Sequence, residues 1–550
     1  MEMEDQPKGR TSDLKALAEA EFGKGTFSNA EKLLLEKVPV GEWAICGPNS
    51  TDRDKANDPQ DADNWGPKRQ IRAELVGWLC MDEHARKRVH WRGIQVYGAD
   101  VTGPLDLPFV NIPFQLALRH CRLKAAINLR SAEVSQLDLQ GSLVYGITAD
   151  GLIVKNSVFL GAGFTAIGEV RLPRAQIGGD LSCEDGTFTN PSKKDFSRSG
   201  IALNADGIDV KGYVFLRKST TKGAVRLLGA QIGANLECDG GAFTNPPQKD
   251  LPRSGTALDA ERSNVKGMVF LRDGFTADGV VNLDAAQIGR GFSCANANFQ
   301  RATLQLRDAS AASLIDSGLN DTSSVADGGP TIWPQPSKLP LDGFVYRHIY
   351  SEGRINVTKR LYWLGLQPTT PFRQQPYLQL AKILRESGDL DGAKQVLEKM
   401  EALRRSHDGP GWMARLWSWI LRRSIGYGYH PGRAIWLIIL LSVVGWIVYG
   451  TSYHAGRMAP TDKDAYNEFR DPKTTGQVPP HYPNFSAPIY SLENSLPLVK
   501  LGQGDKWQPD PGRKGPLPTF ILWFLRVQIM LGWLLATLFV AGVSGIVRKE

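Results

Sequence analysis

Apolar residues recur at every fifth position in one stretch of this 550-residue chain. Stepping by five meets eight of them in succession, namely Leu129, Val134, Leu139, Val144, Ala149, Val154, Phe159 and Phe164. An amphipathic helix repeats every 3.6 residues and a strand every two, so neither gives this spacing. A period of five instead predicts stacked coils that together bury one continuous core.

A longer repeat of 55 or 56 residues lies further along the chain. Its returning phrases are Ala-Gln-Ile-Gly at 175–178, 230–233 and 286–289, and Val-Phe-Leu-Arg at 214–217 and 269–272. Two stretches rich in Pro, Lys and Ser, 189–200 and 244–255, fall at matching places. We predict that both are loops protruding from one side of the coils.

The five-residue period resembles that of the pentapeptide-repeat family, in which each five residues form one face of a square, right-handed β-helix. The resemblance implies a β-helix over residues 91–315. A helical N-terminal cap is predicted over residues 1–90, where Ser28 and Glu31 have the spacing of a capping box. The chain is therefore predicted to be multidomain, with a solenoid at its centre.

Three of the six cysteines, Cys183, Cys238 and Cys294, occupy one position of the longer repeat. A metal or redox ladder is one interpretation of this recurrence. We favour the other, a small inward-facing residue at one corner of the coil. Copies separated by a coil or more exceed the Cα separation of about 4.4–6.8 Å that a disulfide tolerates. No C-x-x-C occurs, and reduced cytosolic thiols are the expectation.

The solenoid is predicted to end in a linker over residues 316–340, which is rich in Ser, Asp, Gly and Pro. Two apolar helical faces joined by a short turn come next, and predict a helical hairpin over residues 341–408. This hairpin resembles a single tetratricopeptide-type unit. Two roles stay open for it, namely peptide binding and simple packing between the β-helix and the C-terminal region.

Two long apolar stretches near the C-terminus predict transmembrane helices. Residues 434–452 contain no charged side chain, and about 20 residues suffice to cross a bilayer. The second stretch, 518–547, is interrupted only by Arg526, which is placed either to snorkel or to face water. The loop 453–517 between them is predicted to lie outside.

Basic residues set the predicted orientation. Arginines but no acidic residue occur within 414–433, and Arg548 and Lys549 come after the second stretch. The positive-inside rule then places both termini in the cytoplasm of a cell inner (plasma) membrane. The start of the chain lacks the features of a cleaved signal.

Residues 410–424 predict an amphipathic helix before the first span. A helix lying flat on the inner leaflet is the favoured interpretation, and a helix packed on protein is the alternative. The membrane-interface candidates are Trp412, Arg415, Arg422, Arg423 and Arg433.

Two spans, an interfacial helix and an outside loop resemble the two-transmembrane ion-channel pore, whose loop forms a short pore helix and a filter near Thr-Val-Gly-Tyr-Gly-Asp. Residues 490–505 share its Ser-Leu-Glu start, its paired glycines and its final Asp505. Pro497 and Lys500 depart from the filter, so potassium selectivity is not implied. A surface loop or non-conducting plug over 486–505 is the alternative. The pore-loop candidates are Leu498, Val499, Lys500, Leu501, Gly502, Gln503, Gly504 and Asp505.

As a whole, residues 65–550 resemble bacterial membrane-anchored pentapeptide-like proteins, some labelled ion-channel-like and others membrane-associated oxidoreductases. The chain has no G-x-G-x-x-G dinucleotide fingerprint, no H-E-x-x-H and no P-loop, and its eight histidines form no haem or metal signature. We therefore predict no catalytic residue, no cofactor and no metal, and oxidoreductase activity is the least favoured alternative.

The leading hypothesis is a channel-like or sensor protein, tetrameric if the resemblance holds, whose cytoplasmic β-helix binds an unknown cytosolic protein. A non-conducting membrane scaffold that presents the β-helix is the rival. The net charge of +8, from 65 basic and 57 acidic residues, is too small for a chain-wide nucleic-acid surface. The expected partners are therefore the lipid bilayer, further copies of the chain and a protein.

Overall fold

The computed structural model describes residues 7–48, 55–193, 199–251, 253–316, 331–350, 355–407, 412–426, 430, 432–471, 477–496, 498–510, 512 and 516–544. The chain divides into two units, Met1–Asp389 and Leu390–Glu550. The boundary falls in the turn of the predicted helical hairpin, so its two helices belong to different units.

The first unit contains six α-helices and 34 strands within its described residues, together with four short 3-10 helices between Val38 and Arg69. The helices are α1 Pro7–Phe22, α2 Asn29–Lys37, α3 Ala73–Met81, α4 Glu83–Arg86, α5 Val357–Leu364 and α6 Gln375–Glu386. The strands are β1 Ala44–Ile45, β2 Gln70–Arg72, β3 Ile94–Tyr97, β4 Asp100–Thr102, β5 Leu105–Asp106, β6 Asn111–Arg119, β7 Arg122–Leu123, β8 Ile127–Asn128, β9 Glu133–Asp138, β10 Leu143–Val144, β11 Ile147–Thr148, β12 Ile153–Val154, β13 Val158–Phe159, β14 Thr165–Ile167, β15 Val170–Arg171, β16 Gln176–Ile177, β17 Leu181–Ser182, β18 Thr187–Thr189, β19 Ile201–Asn204, β20 Asp209–Val210, β21 Val214–Phe215, β22 Thr220–Lys222, β23 Ala224–Arg226, β24 Gln231–Ile232, β25 Leu236–Glu237, β26 Ala242–Thr244, β27 Thr256–Asp259, β28 Asn264–Val265, β29 Met268–Phe270, β30 Thr276–Asn282, β31 Gln287–Ser293, β32 Ala302–Gln305, β33 Ser310–Ile315 and β34 Val345–Tyr350.

These strands form a parallel β-solenoid, which confirms that the repeat region consists of stacked coils. Two long sheets of 17 strands each run along it. A regular coil contributes four short strands, as β12 to β15 do, and each strand pairs in parallel with its counterpart in the next coil. Ile177, for example, is in register with Val154 of the preceding coil and Val210 of the following one.

The 55-residue repeat corresponds to two coils of the solenoid. Cys183 lies in line with Leu216 of the next coil and with Cys238 of the coil after it. All three side chains are fully buried. Strands in a sheet are about 4.8 Å apart, so cysteines of alternate coils are separated by about 10 Å. The cysteine recurrence thus marks an inward position that leucine fills in the coils between.

The five-residue step shifts by one position at Phe159. The side chain of Phe159 is partly exposed, whereas Val158 and Leu160 on either side of it are buried. Leu160 takes the inward place in line with Leu139 of the preceding coil. One coil here accommodates an extra residue, so the pattern that begins at Leu129 is interrupted before its eighth member.

Apart from Thr189 and Thr244, which end β18 and β26, the described residues of the two predicted loops lie outside the strands. Asn190 and Asn245 occupy equivalent positions at their bases, and the two side-chain amides donate to the backbone oxygens of Ile201 and Thr256, at 2.7 and 2.8 Å. In the coil between them, the single residue Gly223 occupies the position at which each loop is inserted. The coil length therefore alternates, because every second coil carries an insertion, and the full repeat spans two coils.

Both ends of the solenoid extend beyond the predicted boundaries. The N-terminal cap is not purely helical, because β1 and β2 pair with β3 and β4 of the first coil. At the other end β34 pairs with β33, so the solenoid continues past residue 315 to Tyr350. Residues 317–330 of the predicted linker lie outside the described part of the chain. Leu339 and Leu341, which come after them, are buried against the last coils rather than exposed.

The second unit contains α7 Leu390–His407, α8 Trp412–Ile425, α9 Gly432–His454, α10 Lys463–Arg470, α11 Ala487–Ser495, α12 Pro516–Val543 and the antiparallel strands β35 Met458–Pro460 and β36 Trp507–Pro509. Two of its helices, α9 and α12, are long and apolar enough to cross a membrane. Only 22% and 17% of the residues in their apolar stretches are buried, fewer than in a core helix of a soluble domain.

Candidate functional site

The short helix α11 lies between the two long apolar helices and is joined to both by a buried polar cluster. The amide of Gln528 on α12 donates to the hydroxyls of Ser491 and Ser495, at 3.0 and 2.8 Å. Its oxygen accepts a 2.6 Å hydrogen bond from the Tyr449 hydroxyl on α9. The Ser491 hydroxyl donates in turn to the backbone oxygen of Ser442 on α9, at 2.7 Å.

This cluster lies near the middle of both long helices. Ser442 is ten residues from the start of α9 and Gln528 is twelve from the start of α12. At 1.5 Å per residue, each lies about 15–18 Å along its helix. The loop between α9 and α12 therefore reaches down to the mid-length of the helices before it returns.

Glycine permits the close approach of α11 to α12. A Cβ atom at Gly532 would come within 2.5 Å of the backbone oxygen of Ser495. Gly445 of α9 is equally confined by Ser491 and Gln528. Small residues at such positions let helices approach until backbone and side-chain atoms touch.

The chain after α11 is held by one carboxylate. Glu493 accepts hydrogen bonds from the backbone N–H groups of Gln503 and Gly504, both at 2.8 Å. The Gln503 side chain donates to the backbone oxygen of Asn484 and accepts from the N–H of Ser486. These bonds fix the two ends of the segment containing the pore-loop candidates.

The tip of that segment is exposed. The side chains of Leu498 and Lys500 are 84% and 86% exposed, and Val499 and Leu501 are also exposed. Lys500 and Asp505 are 3.8 Å apart as a surface ion pair. Of the eight candidates only Gln503 has a buried side chain with two hydrogen-bond partners, and Gly502 has a left-handed φ of 80°. Pro497 lies outside the described residues.

An aromatic core closes the other side of this loop region. Trp507 of β36 is fully buried, and its indole N–H donates to the backbone oxygen of Pro483 at 3.0 Å. Tyr453 and Phe485 stack on one another 4.8 Å apart and both face Trp507. The described residues between the long helices thus form a small folded cap rather than an extended loop.

The outward faces of the two long helices differ in chemistry. The exposed stripe of α9 is apolar from Trp436 through Leu440 and Val443 to Ile447, and exposed Thr451 continues it toward the end of the helix. The exposed stripe of α12 includes Arg526 and Thr537, eleven residues apart and so on one face. Gln528 points the opposite way, since two residues turn an α-helix by about 200°.

The membrane-interface candidates are only partly described. Arg423 of α8 and Arg433 of α9 are exposed, while the side chains of Trp412, Arg415 and Arg422 lie outside the described part of the structure. Leu421 of α8 is buried together with Ala434 of α9 and Leu538 of α12. Met413, Leu416 and Trp419 of α8 are exposed. α8 therefore packs on the adjoining ends of both long helices and leaves an apolar face uncovered.

The solenoid carries a cleft of about 500 Å³ beside the loop that begins at Asn190. Tyr145 and Ile167, both more than two-fifths exposed, form part of its wall. Glu169 is nearly buried there and is hydrogen-bonded through one oxygen to Arg171 at 3.3 Å. This is a surface recess with apolar walls and fixed charge.

The sequence interpretation missed the polar cluster around Gln528. The available signal was an uncharged amide within an apolar stretch, together with Ser491 and Ser495 at a spacing of four. Glu493 was noted only as part of a motif, and its capping of two backbone N–H groups depends on a chain reversal that sequence spacing does not reveal.

Comparison with known protein families, with curated proteins and with solved structures finds no match. Within the described residues, no three His, Cys, Asp or Glu side chains are arranged to hold a metal ion.

Proposed function

We propose that the second unit is a channel-like module of a cell inner membrane, with α9 and α12 as its two spans and α11 as a re-entrant helix. The observation that carries this proposal is the hydrogen-bonded contact of Ser491 and Ser495 with Gln528 at the mid-length of α12. A helix held there by polar bonds satisfies its side chains internally, as a bilayer requires of any segment at that depth.

The orientation follows from charge. Arg423 near the end of α8 and Arg433 at the start of α9 favour the cytoplasmic side, so both termini are cytoplasmic and the aromatic cap around Trp507 is outside. The solenoid is then cytoplasmic. Its four short strands per coil fit a right-handed solenoid of the pentapeptide-repeat type, and the cleft beside Asn190 is the place we assign to its protein partner.

Conduction requires several copies of the chain. One re-entrant loop cannot enclose a pore, so the segment 498–505 would line it only in an assembly, with a tetramer as the expected form. The Arg526 and Thr537 stripe of α12 supports this, because a charged residue on a lipid-facing stripe costs about 3 kcal/mol or more. An apolar α9 stripe is suited to lipid, and a polar α12 stripe is suited to water or another copy.

Recordings from purified protein in planar bilayers test the proposal. We expect an ion conductance whose reversal potential under a salt gradient shifts toward cation preference in Lys500→Glu. An unchanged reversal potential would remove the segment 498–505 from the pore. Absence of conductance under every ion gradient, together with a monomer in detergent, would leave the non-conducting scaffold as the function.

A further inference from the structure

A groove of about 710 Å³ opens between α7, α8 and the first turns of α9. It belongs to none of the predicted pore elements. Its lining consists of Glu398, Trp419, Arg423, Arg433, Trp436, Leu437 and Leu440.

Charge and apolar surface are separated along this groove. Arg433 lies in the first turn of α9, and Leu440 lies seven residues further, about 10 Å along the helix axis. Trp436 and Leu440 are 73% and 59% exposed, and they continue into the apolar outward stripe of α9. The groove therefore has basic residues at one end and an apolar wall along the rest of its length.

The basic end is not fully neutralised. Glu398 lies 3.5 Å from Arg433 and also 3.5 Å from the Nε2 atom of His430. Burial and the nearby Arg433 lower the pKa of His430, so that imidazole is neutral at neutral pH. Arg423 is exposed, and no carboxylate among the described residues lies within ion-pair distance of it. Among the described residues, the Arg423 guanidinium is thus without a carboxylate partner, and that of Arg433 is paired with Glu398.

We propose that this groove binds an anionic phospholipid, with the phosphate at Arg423 and Arg433 and an acyl chain along Trp436 and Leu440. Guanidinium groups bind phosphate oxygens by charge-assisted hydrogen bonds. Basic pockets beside cytoplasmic helix ends suit anionic headgroups. A free phosphate would occupy only the basic end and leave the apolar wall exposed to solvent. We therefore assign a lipid to the groove. The inference rests on the proposed membrane placement of α9, but not on conduction.

Native mass spectrometry of the full chain, released from vesicles of equal phosphatidylglycerol and phosphatidylcholine content, tests this site. We expect wild-type protein to retain phosphatidylglycerol preferentially. Arg423→Gln should reduce that retention about tenfold, because it removes the charge-assisted hydrogen bonds of one guanidinium to the phosphate. Trp436→Ala should reduce retention without changing net charge. Lys463→Gln, which removes one exposed charge from α10, is the matched control and should retain lipid like wild type.

Three results would overturn the proposal: equal retention of the two lipids by wild type, wild-type retention by Arg423→Gln, or displacement of the lipid by inorganic phosphate alone. Failure of the channel proposal is distinguishable, because a silent bilayer recording leaves lipid retention intact. Recovery of the chain in the soluble fraction after membrane extraction would remove the membrane placement itself, and with it both proposals.

Discussion

Thr221 occupies a place inside the solenoid that phenylalanine fills in the neighbouring coils. It is in register with Phe188 on one side and Phe243 on the other. Its side chain is fully buried, and its hydroxyl has no hydrogen-bond partner. A buried hydroxyl without a partner costs about 1–3 kcal/mol, so Thr221→Val is expected to raise the free energy of unfolding by about 1 kcal/mol. Denaturant unfolding followed by the β-sheet circular dichroism signal measures the change.

Thr331 provides the matched control for this substitution. Its hydroxyl donates to the backbone oxygen of Cys294 at 2.7 Å. Thr331→Val leaves that oxygen without this donor and is expected to lower the free energy of unfolding by about 1 kcal/mol. Equal effects of the two substitutions would show that hydrogen bonding of the hydroxyl is not what distinguishes the sites.

Some residues have backbone conformations that the local sequence does not predict. Arg174 and Arg262 adopt left-handed φ angles of 56° and 55° at one corner of their coils, where Gly151 and Gly207 take the same conformation. Arginine has no intrinsic preference for that region. Backbone hydrogen bonds to the next coil impose it, as from Arg174 N–H to Asp206 at 2.8 Å. Hydrogen bonds between coils depend on the tertiary structure, so the local sequence pattern does not reveal them.

At the scale of elements, the contact of α11 with α12 depends on Gly532. The methyl group of Gly532→Ala would meet the backbone of Ser495 at 2.5 Å, so the two helices must separate. We expect a loss of about 1–3 kcal/mol in stability, typical of overpacking. Thermal unfolding in detergent, followed by the near-ultraviolet signal of the aromatic cap, measures it.

Gly450 of α9 serves as the control for this contact. A Cβ atom there would have only Ala487 nearby, at 3.7 Å, which is ordinary contact. Gly450→Ala should therefore preserve the melting temperature, or raise it slightly, because alanine favours helix. A Gly532→Ala protein as stable as Gly450→Ala would contradict the tight insertion of α11.

The start of α2 makes the N-terminal cap sensitive to acid. Ser28 and Glu31 form the predicted capping box, and the Glu31 carboxylate also accepts hydrogen bonds from Arg72 at 2.7 and 3.0 Å. Burial alone would raise the pKa of Glu31, but the hydrogen bonds from Arg72 and Ser28 lower it below its ordinary value. The carboxylate thus contributes stability above the unfolded-state pKa of about 4.3, and this is lost as pH falls through the lower folded pKa.

Glu31→Gln is expected to remove that acid sensitivity and to cost about 1–2 kcal/mol at neutral pH. Proteolysis rates of the cap between about pH 3 and pH 7 measure both effects. Glu36→Gln, at a mostly exposed position of the same helix, should behave like wild type. A pH profile of Glu31→Gln that parallels wild type would contradict this role of the carboxylate.

The periodicity of the sequence predicted which elements form more accurately than it predicted where they begin and end. The period of five identified the solenoid, and the uncharged stretch 434–452 lies within α9. The ends of the solenoid were predicted less well, since β1, β2 and β34 are short strands whose pairing partners are distant in sequence. The hydrogen bonds of Gln528 were not predictable, because they join residues of α9, α11 and α12 that meet only after folding.

At the scale of the whole molecule, the proposed function depends on association between copies. In the proposed assembly, Arg526 and the exposed residues 498–502 would both face a water-filled surface, which an isolated chain within lipid would not provide. The number of copies per particle therefore tests the channel-like assembly most directly. Native mass spectrometry of the full chain in lipid nanodiscs is predicted to give a tetramer. A single copy per nanodisc, at every protein concentration, would contradict that assembly.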